Sequence, residues 1–558
     1  FDGTKGDLCT TLLAAQKAGS LTGTVTYDKL NDIVKCLQND KTLITDLSWK
    51  FNYQLNSSNK FQYLFSSTNK YRNRRGASAT TAVEATTQQT SDMPKGVGLW
   101  GLPIPTHSVT HTWIASDRLV FNTMYTYVNG GFYLDYQDVP KQGNCAPSKY
   151  ISGASTNAAY ARDAACLWNI QSATNRTTGF SDRSLSTSSQ SDRHNWEAKT
   201  DATYFMTNRF GGDHSLKFGF GYRGNPSVNF GHQSGGARVT MQCVGNTQAN
   251  CGGGTIVSAG ATAGYVPYQA VLARDTLSNN FWWTYNGYIQ DSFSRGKFRI
   301  NGGLRYDWQT SKYVGGCVAP NMLRPDLLPS QCESPTSTDP TTGKKVEPFS
   351  QIAPRLSVTY DLFGNGKTSF HARYSYYFAL KLVVAQSLGS VGDSINLTWG
   401  PNQSSGACSS TAGASCWNDA NKDGIVQINE LIGSPTPSNT RYNTATGVLT
   451  PAGNIVDPNA KIGRTREFVV GAQHELIANL AVGVDVIYRK YDRVTATYSV
   501  GYQPGLTSMA SLYNPTVQTY ADPVTGLTAP YYVTCTGCVR PSGLASITVT
   551  NPAYQIYK

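Results

Sequence analysis

One short segment of the chain has the residue types and spacing of a calcium-binding loop. Oxygen-bearing side chains recur at alternate positions, Gly424 permits a sharp bend at the sixth position, and a glutamate closes a twelve-residue frame. A hard cation such as Ca²⁺ needs several oxygen ligands on a short arc, and this spacing supplies them. The candidate ligands are Asp419, Asn421, Asp423, the backbone carbonyl of Ile425, Gln427 (directly or through water) and Glu430.

We expect this loop to hold a structural Ca²⁺ and not to act as a calcium sensor. A sensor places the loop between two helices. No amphipathic helix precedes Trp417, and Pro435 and Pro437 end any helix that follows Ile432. The alternative is a polar loop whose Asx turns match the motif by chance.

The twelve cysteines are a second set of chemically distinctive residues. Their even number and their grouping as near neighbours favour local disulfides in an oxidising compartment. Zinc is the alternative, because Cys535 and Cys538 have C-x-x-C spacing, although no second pair or histidine lies near them. Connectivity cannot be deduced from sequence. The neighbours are Cys9 and Cys36, Cys145 and Cys166, Cys243 and Cys251, Cys317 and Cys332, Cys408 and Cys416, and Cys535 and Cys538.

No group of residues predicts catalysis, so we do not expect an enzyme. The seven histidines are dispersed, and neither an H-E-x-x-H motif nor a Ser, His and Asp set stands out. The formal charge is 47 − 35 = +12, but the basic residues are scattered, which does not favour nucleic-acid binding. Arg72, Arg74 and Arg75 form a small basic cluster, which is either solvated loop charge or an anion-binding vestibule.

The elements that must carry these residues are predicted by period-two alternation of apolar and polar side chains. From Leu47 to Leu55 every odd residue is apolar and every even residue is polar, and the alternation resumes at Phe61 after a turn at 56–59. The unit recurs, which predicts six hairpins and about twelve antiparallel strands of roughly ten residues, long enough to cross a bilayer when tilted. No run of about 18 apolar residues predicts a transmembrane helix.

The connections between hairpins are far longer than the turns within them, and they contain all the cysteines outside the leader. Antiparallel order places every short turn on one side and every long connection on the other, as in an outer-membrane β-barrel. A propeller or a set of sandwiches would need more regular spacing or cysteines on strands. The long connections cover about 73–108, 137–194, 224–280, 309–352, 379–464 and 491 onward.

Three segments resemble the paired strands of TonB-dependent receptors. They run from Tyr288 to Asp307, from Ala353 to Tyr374 and from Thr465 to Lys490. The segments 71–76 and 208–218, together with the calcium-like loop, resemble the Oar-like branch of that family. The resemblance covers most of the chain, and the order of the motifs carries it.

The resemblance implies a 22-stranded barrel in the outer membrane of a Gram-negative bacterium, of which this chain would be a fragment with about twelve strands. Residues 1–42 and 491–558 would be extracellular loop regions, and 43–490 would carry the barrel hairpins. The implied function is active transport of a scarce ligand: a metal chelate, cobalamin, a glycan or a peptide. The implied partners are membrane lipid, lipopolysaccharide and, through an N-terminal plug region absent from this chain, the TonB complex. The alternatives are a structural or partner-binding surface barrel and a passive porin.

Overall fold

The structure is a computed structural model, and it describes most of the chain in eight main segments. These are residues 5–19, 33–90, 106–137, 169–333, 349–379, 394–439, 441–449 and 461–493. The backbone of short strands is also described at 455–456, 495–499, 518–521, 528–531, 546–550 and 556–557. Among the described residues no helix is long and apolar enough to span a membrane.

Six long hairpins follow one another in an antiparallel meander, which confirms the predicted all-β fold. Each strand pairs with its neighbours in chain order, so the second strand of one hairpin meets the first strand of the next. The hairpins are Lys41–Asn56 with Asn59–Arg75, Thr106–Ser116 with Leu119–Asn129, His194–Arg209 with Gly212–Gln233, Thr276–Arg295 with Phe298–Tyr313, Phe349–Asp361 with Thr368–Phe378, and Arg464–Ile477 with Leu480–Asp492.

The strands are longer than the roughly ten residues that the sequence predicts. The shortest, such as Thr106–Ser116, have 11 residues and Gly212–Gln233 has 22. About ten residues suffice to cross the hydrocarbon core, so the surplus extends beyond the bilayer. At the end with the long connections, which we call the loop end, Thr87–Thr90, Phe132–Tyr136 and Thr187–Asp192 fill the space between the first and third hairpins.

The alternating pattern separates two faces of the sheet. Trp49, Phe51 and Tyr53 lie on the apolar face and are each about half exposed (46%, 55% and 61%), as expected of side chains that meet lipid. On the polar face Gly219 lies opposite Tyr288, and a Cβ at Gly219 would come within 2.7 Å of the tyrosine ring. Glycine is therefore required there because no other residue leaves room for the ring.

The sheet is open at both edges among the described residues. All sixteen residues of Lys41–Asn56 are exposed, and the last strand of the sixth hairpin pairs beyond its own hairpin only through Ile556–Tyr557. Backbone groups cannot remain unpaired in lipid, because no water is present to bond them. In the membrane these edges must therefore be paired, either with each other or with further strands.

A second sheet of six short strands is built from the long connections, and the sequence did not predict it. Its members come from three different connections, and one pairing, between Ala237–Cys243 and Ser172–Asn175, is parallel. In spatial order the strands are Thr436–Pro437, Asn396–Trp399, Tyr265–Ala273, Ala237–Cys243, Ser172–Asn175 and Ser181–Asp182. We call this sheet and the loops packed on it the loop domain.

The loop domain has a hydrophobic core of its own. Trp399, Trp417, Leu272 and Leu397 are fully buried in it, and Val426 of the candidate calcium loop packs there as well. Residues contributed by separate connections bury one another, and burial of apolar surface is the dominant favourable term in folding.

A helix at Asp7–Lys17 contacts the loop domain, and four disulfides each close a loop within one segment of the chain. The helix has Asp7 in its first turn and Lys17 in its last, which suits the helix dipole, and the Tyr265 hydroxyl donates to the carbonyl of Lys17 at 2.6 Å. Residues 33–36 form a helical turn, which the Cys9–Cys36 disulfide links to this helix.

The disulfides confirm the preference for local pairing over zinc at the cysteines that the structure describes. Each bond joins sequence neighbours, and none of the bonded cysteines lies in a strand of the six long hairpins. Cys145, Cys166, Cys535 and Cys538 lie outside the described residues. The bonds are Cys9–Cys36, Cys243–Cys251, Cys317–Cys332 and Cys408–Cys416.

Short elements complete the described chain. The remaining strands are Gly316–Val318, Gln331–Glu333, Cys416–Trp417, Leu431–Ile432, Tyr442–Asn443, Val448–Leu449, Ile455–Val456, Thr495–Ser499, Gln518–Ala521, Thr528–Tyr531 and Ser546–Thr550. The single-turn 3₁₀ helices are Val83–Ala85, Ser234–Gly236, Val244–Asn246, Gln248–Asn250, Gly252–Gly254 and Ile428–Glu430.

Candidate functional site

The candidate calcium loop, residues 419–430, is fixed at both ends. The strands Cys416–Trp417 and Leu431–Ile432 pair on either side of it, and Cys416 is bonded to Cys408. The buried indole of Trp417 donates a hydrogen bond to Glu430 Oε2 at 3.3 Å. The first and last parts of the twelve-residue frame are therefore held together by the protein itself, independently of any bound ion.

Asp419 and Asp423 organise the turn of the loop through backbone hydrogen bonds. Asp419 accepts the N–H groups of Asp423 and Gly424 at 3.1 and 2.9 Å, and Asp423 accepts the N–H of Ile425 at 2.7 Å. Gly424 has φ 69°, and a Cβ there would approach Ile256 to 2.7 Å. The backbone conformation therefore favours glycine at this position.

The other polar side chains of the frame bond one another. Gln427 donates to Asp423 Oδ2 at 2.7 Å, and Asn421 donates to the same oxygen at 2.9 Å and to Gln427 Oε1 at 3.0 Å. Glu430 accepts the N–H of Ala420 at 3.0 Å. The structure therefore brings all six predicted ligand residues into one compact loop.

The electrostatics of the loop are dominated by its carboxylates. Burial raises the pKa of Asp419, and the nearby charges of Glu430 and Asp423 raise it further, against the hydrogen bond from Gly424. The guanidinium of Arg183 donates to the Gly424 carbonyl at 2.6 Å and brings one positive charge to the rim of the loop.

Gln171 holds the loop against the loop domain, and sequence reasoning missed this contact. Its side-chain oxygen accepts the Val426 N–H at 2.7 Å and its amide donates to the Val426 carbonyl at 2.9 Å. Both residues are buried, so the side chain replaces a neighbouring strand as the partner of this backbone. The two residues are 255 positions apart, so no local sequence pattern predicts this pair.

The donor set of this loop suits Ca²⁺, although its present arrangement is not a finished coordination shell. Carboxylate, amide and carbonyl oxygens are the ligands that Ca²⁺ takes. No three His, Cys, Asp or Glu side chains in the described part of the chain converge closely enough to hold a metal. Glu430 is directed to Trp417 and to the backbone, so its carboxylate would have to turn to ligate an ion.

A second candidate site is a cavity of about 920 Å³ on the polar face of the sheet formed by the six hairpins. Residues from six consecutive strands, from His194–Arg209 to Thr368–Phe378, line it, so the sheet curves around this space. Its wall carries polar and charged side chains, as the lumen of an outer-membrane barrel does.

The wall of this cavity has an excess of positive charge. Six basic and three acidic residues line it, a difference of 6 − 3 = +3. Each acid forms an ion pair with one base: Asp201 with Lys217, Glu197 with Arg223, and Asp307 with Arg305, at 2.7, 2.7 and 2.9 Å. Lys199, Arg355 and Arg373 complete the basic set and form no ion pair with a described residue.

The basic cluster at Arg72, Arg74 and Arg75 does not act as one site. Arg72 forms an ion pair with Asp40 at 2.5 Å, and its hydrogen bond is the main cause that holds the pKa of Asp40 below its usual range. Arg74 donates to the Asn39 carbonyl at 3.3 Å. Of the three arginines, only Arg75 both lines a cavity and forms no ion pair with a described residue.

Solved structures with a similar arrangement of strands are much longer than this chain. The ferripyoverdine receptor of the outer membrane of Pseudomonas aeruginosa is 8% identical, with a TM-score of 0.39, and the match covers 84% of this chain and 44% of the receptor. The ferric-catecholate import receptor Fiu from Escherichia coli K12 is 9% identical, with a TM-score of 0.39, and the match covers 82% and 52%. The chain therefore spans about half the length of these proteins.

The family of the chain is shown by its sequence. No sequence among the curated proteins matches it. The sequence model described as outer membrane beta barrel domain matches residues 12–533, which is nearly the whole chain and includes all six hairpins. This is a family of membrane barrels and not of enzymes, and it accounts for the lipid-facing apolar surface, the polar cavity and the short turns. The chain belongs to the outer membrane beta barrel domain family, and it is a protein of the outer membrane of a Gram-negative bacterium.

Proposed function

We propose that this chain is the barrel part of an active transporter of the TonB-dependent type, which takes up a scarce ligand from outside the cell. The observation that carries the proposal is the combination of a charged cavity inside the strand meander with a folded loop domain at one end. A passage that needs only diffusion has no use for an ordered domain at its mouth. A transporter that captures its ligand first does.

The sequence supports the same function. The segments from Tyr288 to Asp307 and from Thr465 to Lys490 resemble paired strands of TonB-dependent receptors, and both are hairpins here. Coupling to the inner membrane through TonB would supply the energy for this uptake. The positive excess in the cavity favours a ligand with an anionic part, such as a metal chelate or an acidic glycan.

Energy dependence of uptake separates this function from a passive porin. Cells that carry the full-length gene should accumulate one member of a labelled panel of ferric chelates, cobalamin and oligosaccharides above the external concentration. A protonophore should abolish the accumulation, because the energy comes from the inner membrane. If several small solutes equilibrate across the membrane whether or not the protonophore is present, the protein is a passive porin. If cells with the full-length gene take up none of the solutes, a structural role is favoured.

We further propose that residues 419–430 bind one Ca²⁺ that stabilises the loop domain. Asp419, Asp423 and Glu430 would supply carboxylates, and the Ile425 carbonyl with Asn421 and Gln427 would complete the shell. An ion would neutralise the carboxylates of Asp419, Asp423 and Glu430, since the charges of Asp423 and Glu430 both act on Asp419. The guanidinium at the rim of the loop, Arg183, also pairs with Asp182 at 3.9 Å. The expected role is structural, because the loop is built into a core and does not lie between two helices.

Chelation tests the calcium proposal. Calorimetric titration of the purified, calcium-depleted protein should show one Ca²⁺ site that Glu430→Gln weakens by at least about tenfold, the loss expected for a bidentate ligand. Chelator should also speed proteolysis within 409–430. Glu475→Gln, beside the short turn of the sixth hairpin, is the matched control and should change neither result. Proteolysis that ignores the chelator, together with absent Ca²⁺ binding, would refute the site.

A further inference from the structure

A cavity of about 610 Å³ lies at the loop end of the first hairpin and is distinct from the large cavity inside the sheet. Arg72, Arg75 and Gly76 form one side, and the loop-domain strand Ser172–Asn175 contributes to the other. Its volume is in the range of small-molecule sites. The wall joins barrel and loop domain, so a ligand here would contact both.

Hydroxyl groups dominate this wall. Seven of the thirteen lining residues are Ser or Thr, and none of the thirteen is aromatic or acidic. Ser172 and Ser184 are more than nine-tenths buried, and the hydroxyls of Thr174 and Ser181 bond each other at 3.1 Å. A hydroxyl can donate and accept, and it can turn to suit its partner. A wall of this kind fits a ligand that is itself rich in hydroxyls, and it offers little to a flat apolar ligand.

The cavity also carries one unbalanced positive charge. Arg72 is neutralised by Asp40, to which it donates from Nε at 2.8 Å. Arg75 lines the cavity and forms no ion pair with any residue that the structure describes. The charges of Arg72 and Arg75 both lower the pKa of Asp40, so the three groups act on one another as a set of net charge 2 − 1 = +1. A guanidinium free to form a paired hydrogen bond is suited to a carboxylate.

We propose that this cavity binds an acidic saccharide, with its carboxylate at Arg75 and its hydroxyls against the Ser and Thr side chains. Such a saccharide has two sources: a free uronic-acid oligosaccharide, or the acidic core sugars of lipopolysaccharide beside the barrel. The first would deepen the proposed transport function and name its substrate class. The binding itself does not depend on transport, so the two can fail separately.

Binding to the purified full-length protein in detergent tests the site directly. Trigalacturonate, the delipidated lipopolysaccharide core, neutral maltotriose and inorganic sulfate are the probes, and calorimetry gives each Kd. At least one acidic saccharide should bind more tightly than maltotriose and sulfate. Arg75→Gln should weaken it by about tenfold or more, the effect of losing a charge-assisted hydrogen bond. Binding of trigalacturonate but not of the lipopolysaccharide core would show that the natural ligand is a free oligosaccharide. Binding of the core but not of trigalacturonate would show that the ligand is lipopolysaccharide.

Two variants guard against a trivial loss of folding. Asp40→Asn removes the negative charge that opposes the ligand, so it should strengthen binding by about two- to threefold, a gain that misfolding cannot produce. Arg118→Gln, in the short turn of the second hairpin, should have no effect. Equal binding of sulfate and saccharide, binding unchanged by Arg75→Gln, or no binding of either acidic saccharide would overturn the proposal. Saccharide binding without accumulation in cells would leave this site standing and refute only transport.

Discussion

At the scale of single residues, the pair Gln171 and Val426 should matter as much as the predicted ion ligands. Gln171→Ala would leave a buried N–H and a buried carbonyl of Val426 without partners, at a cost of about 1–3 kcal/mol for each group. The protection of the Val426 amide against hydrogen exchange should therefore fall by one order of magnitude or more.

A graded series makes this prediction specific. Gln171→Glu keeps an acceptor for the Val426 N–H but loses the donor to its carbonyl, so its effect should be intermediate. Gln54→Ala, at the exposed short turn of the first hairpin, is the control and should leave the loop unchanged. Unaltered exchange at Val426 in Gln171→Ala would show that the loop does not depend on this contact.

Sequence could predict the ion ligands but not the residue that positions them. The ligand spacing is local, since all six candidates lie within twelve residues and the chemistry of a hard cation dictates their types. Gln171 lies 255 residues away and looks like any polar loop residue. The same limit explains the basic cluster, because only the folded chain shows that Asp40 neutralises Arg72 and leaves Arg75 to face a cavity.

At the scale of elements, the loop domain should be stabilised separately from the hairpins. Replacing Cys408 and Cys416 with alanine opens a covalent loop of sequence separation 8, for which chain entropy predicts a cost of about 2–3 kcal/mol. Proteolysis within 409–430 should become much faster, because cleavage follows local opening. The far-ultraviolet β signal should stay the same, since Cys408 and Cys416 lie outside the strands of the six long hairpins.

The second disulfide pair in the loops supplies a matched control. Cys317 and Cys332 join a different small hairpin, Gly316–Val318 with Gln331–Glu333. Their replacement with alanine should leave cleavage at 409–430 at the wild-type rate. Equal acceleration by both double variants would mean that the loop domain opens as a single unit. That result would contradict a local effect of Cys408–Cys416.

The hairpins were predictable and the loop domain was not, for one physical reason. Membrane strands can be predicted from the alternation of apolar and polar residues over ten or more positions, because one face meets lipid and the other meets polar surroundings. The loop-domain strands have 2–9 residues, and two of the five pairings among them join separate connections. The burial of Trp399 and Trp417 depends on those distant partners, so no local period reveals it.

At the scale of the whole molecule, the hairpin meander and the loop domain meet at the loop end, and different interactions stabilise each of them. The meander is ordered by backbone pairing and by lipid around its apolar face. The loop domain is ordered by a small core, disulfides and, in our proposal, calcium. The barrel can thus tolerate long insertions, because the inserted residues fold on one another. A binding site at the junction would couple ligand capture outside to the cavity within.

The orientation of the chain in the outer membrane tests the account most directly. A specific protease site inserted between Ala412 and Gly413, in the loop domain, should be cleaved when the protease is added to intact cells. The same site between Ser57 and Ser58, in the short turn of the first hairpin, should be cleaved only after the outer membrane is permeabilised. Cleavage of the short turn in intact cells, or protection of the loop domain there, would contradict a barrel whose long connections face outward.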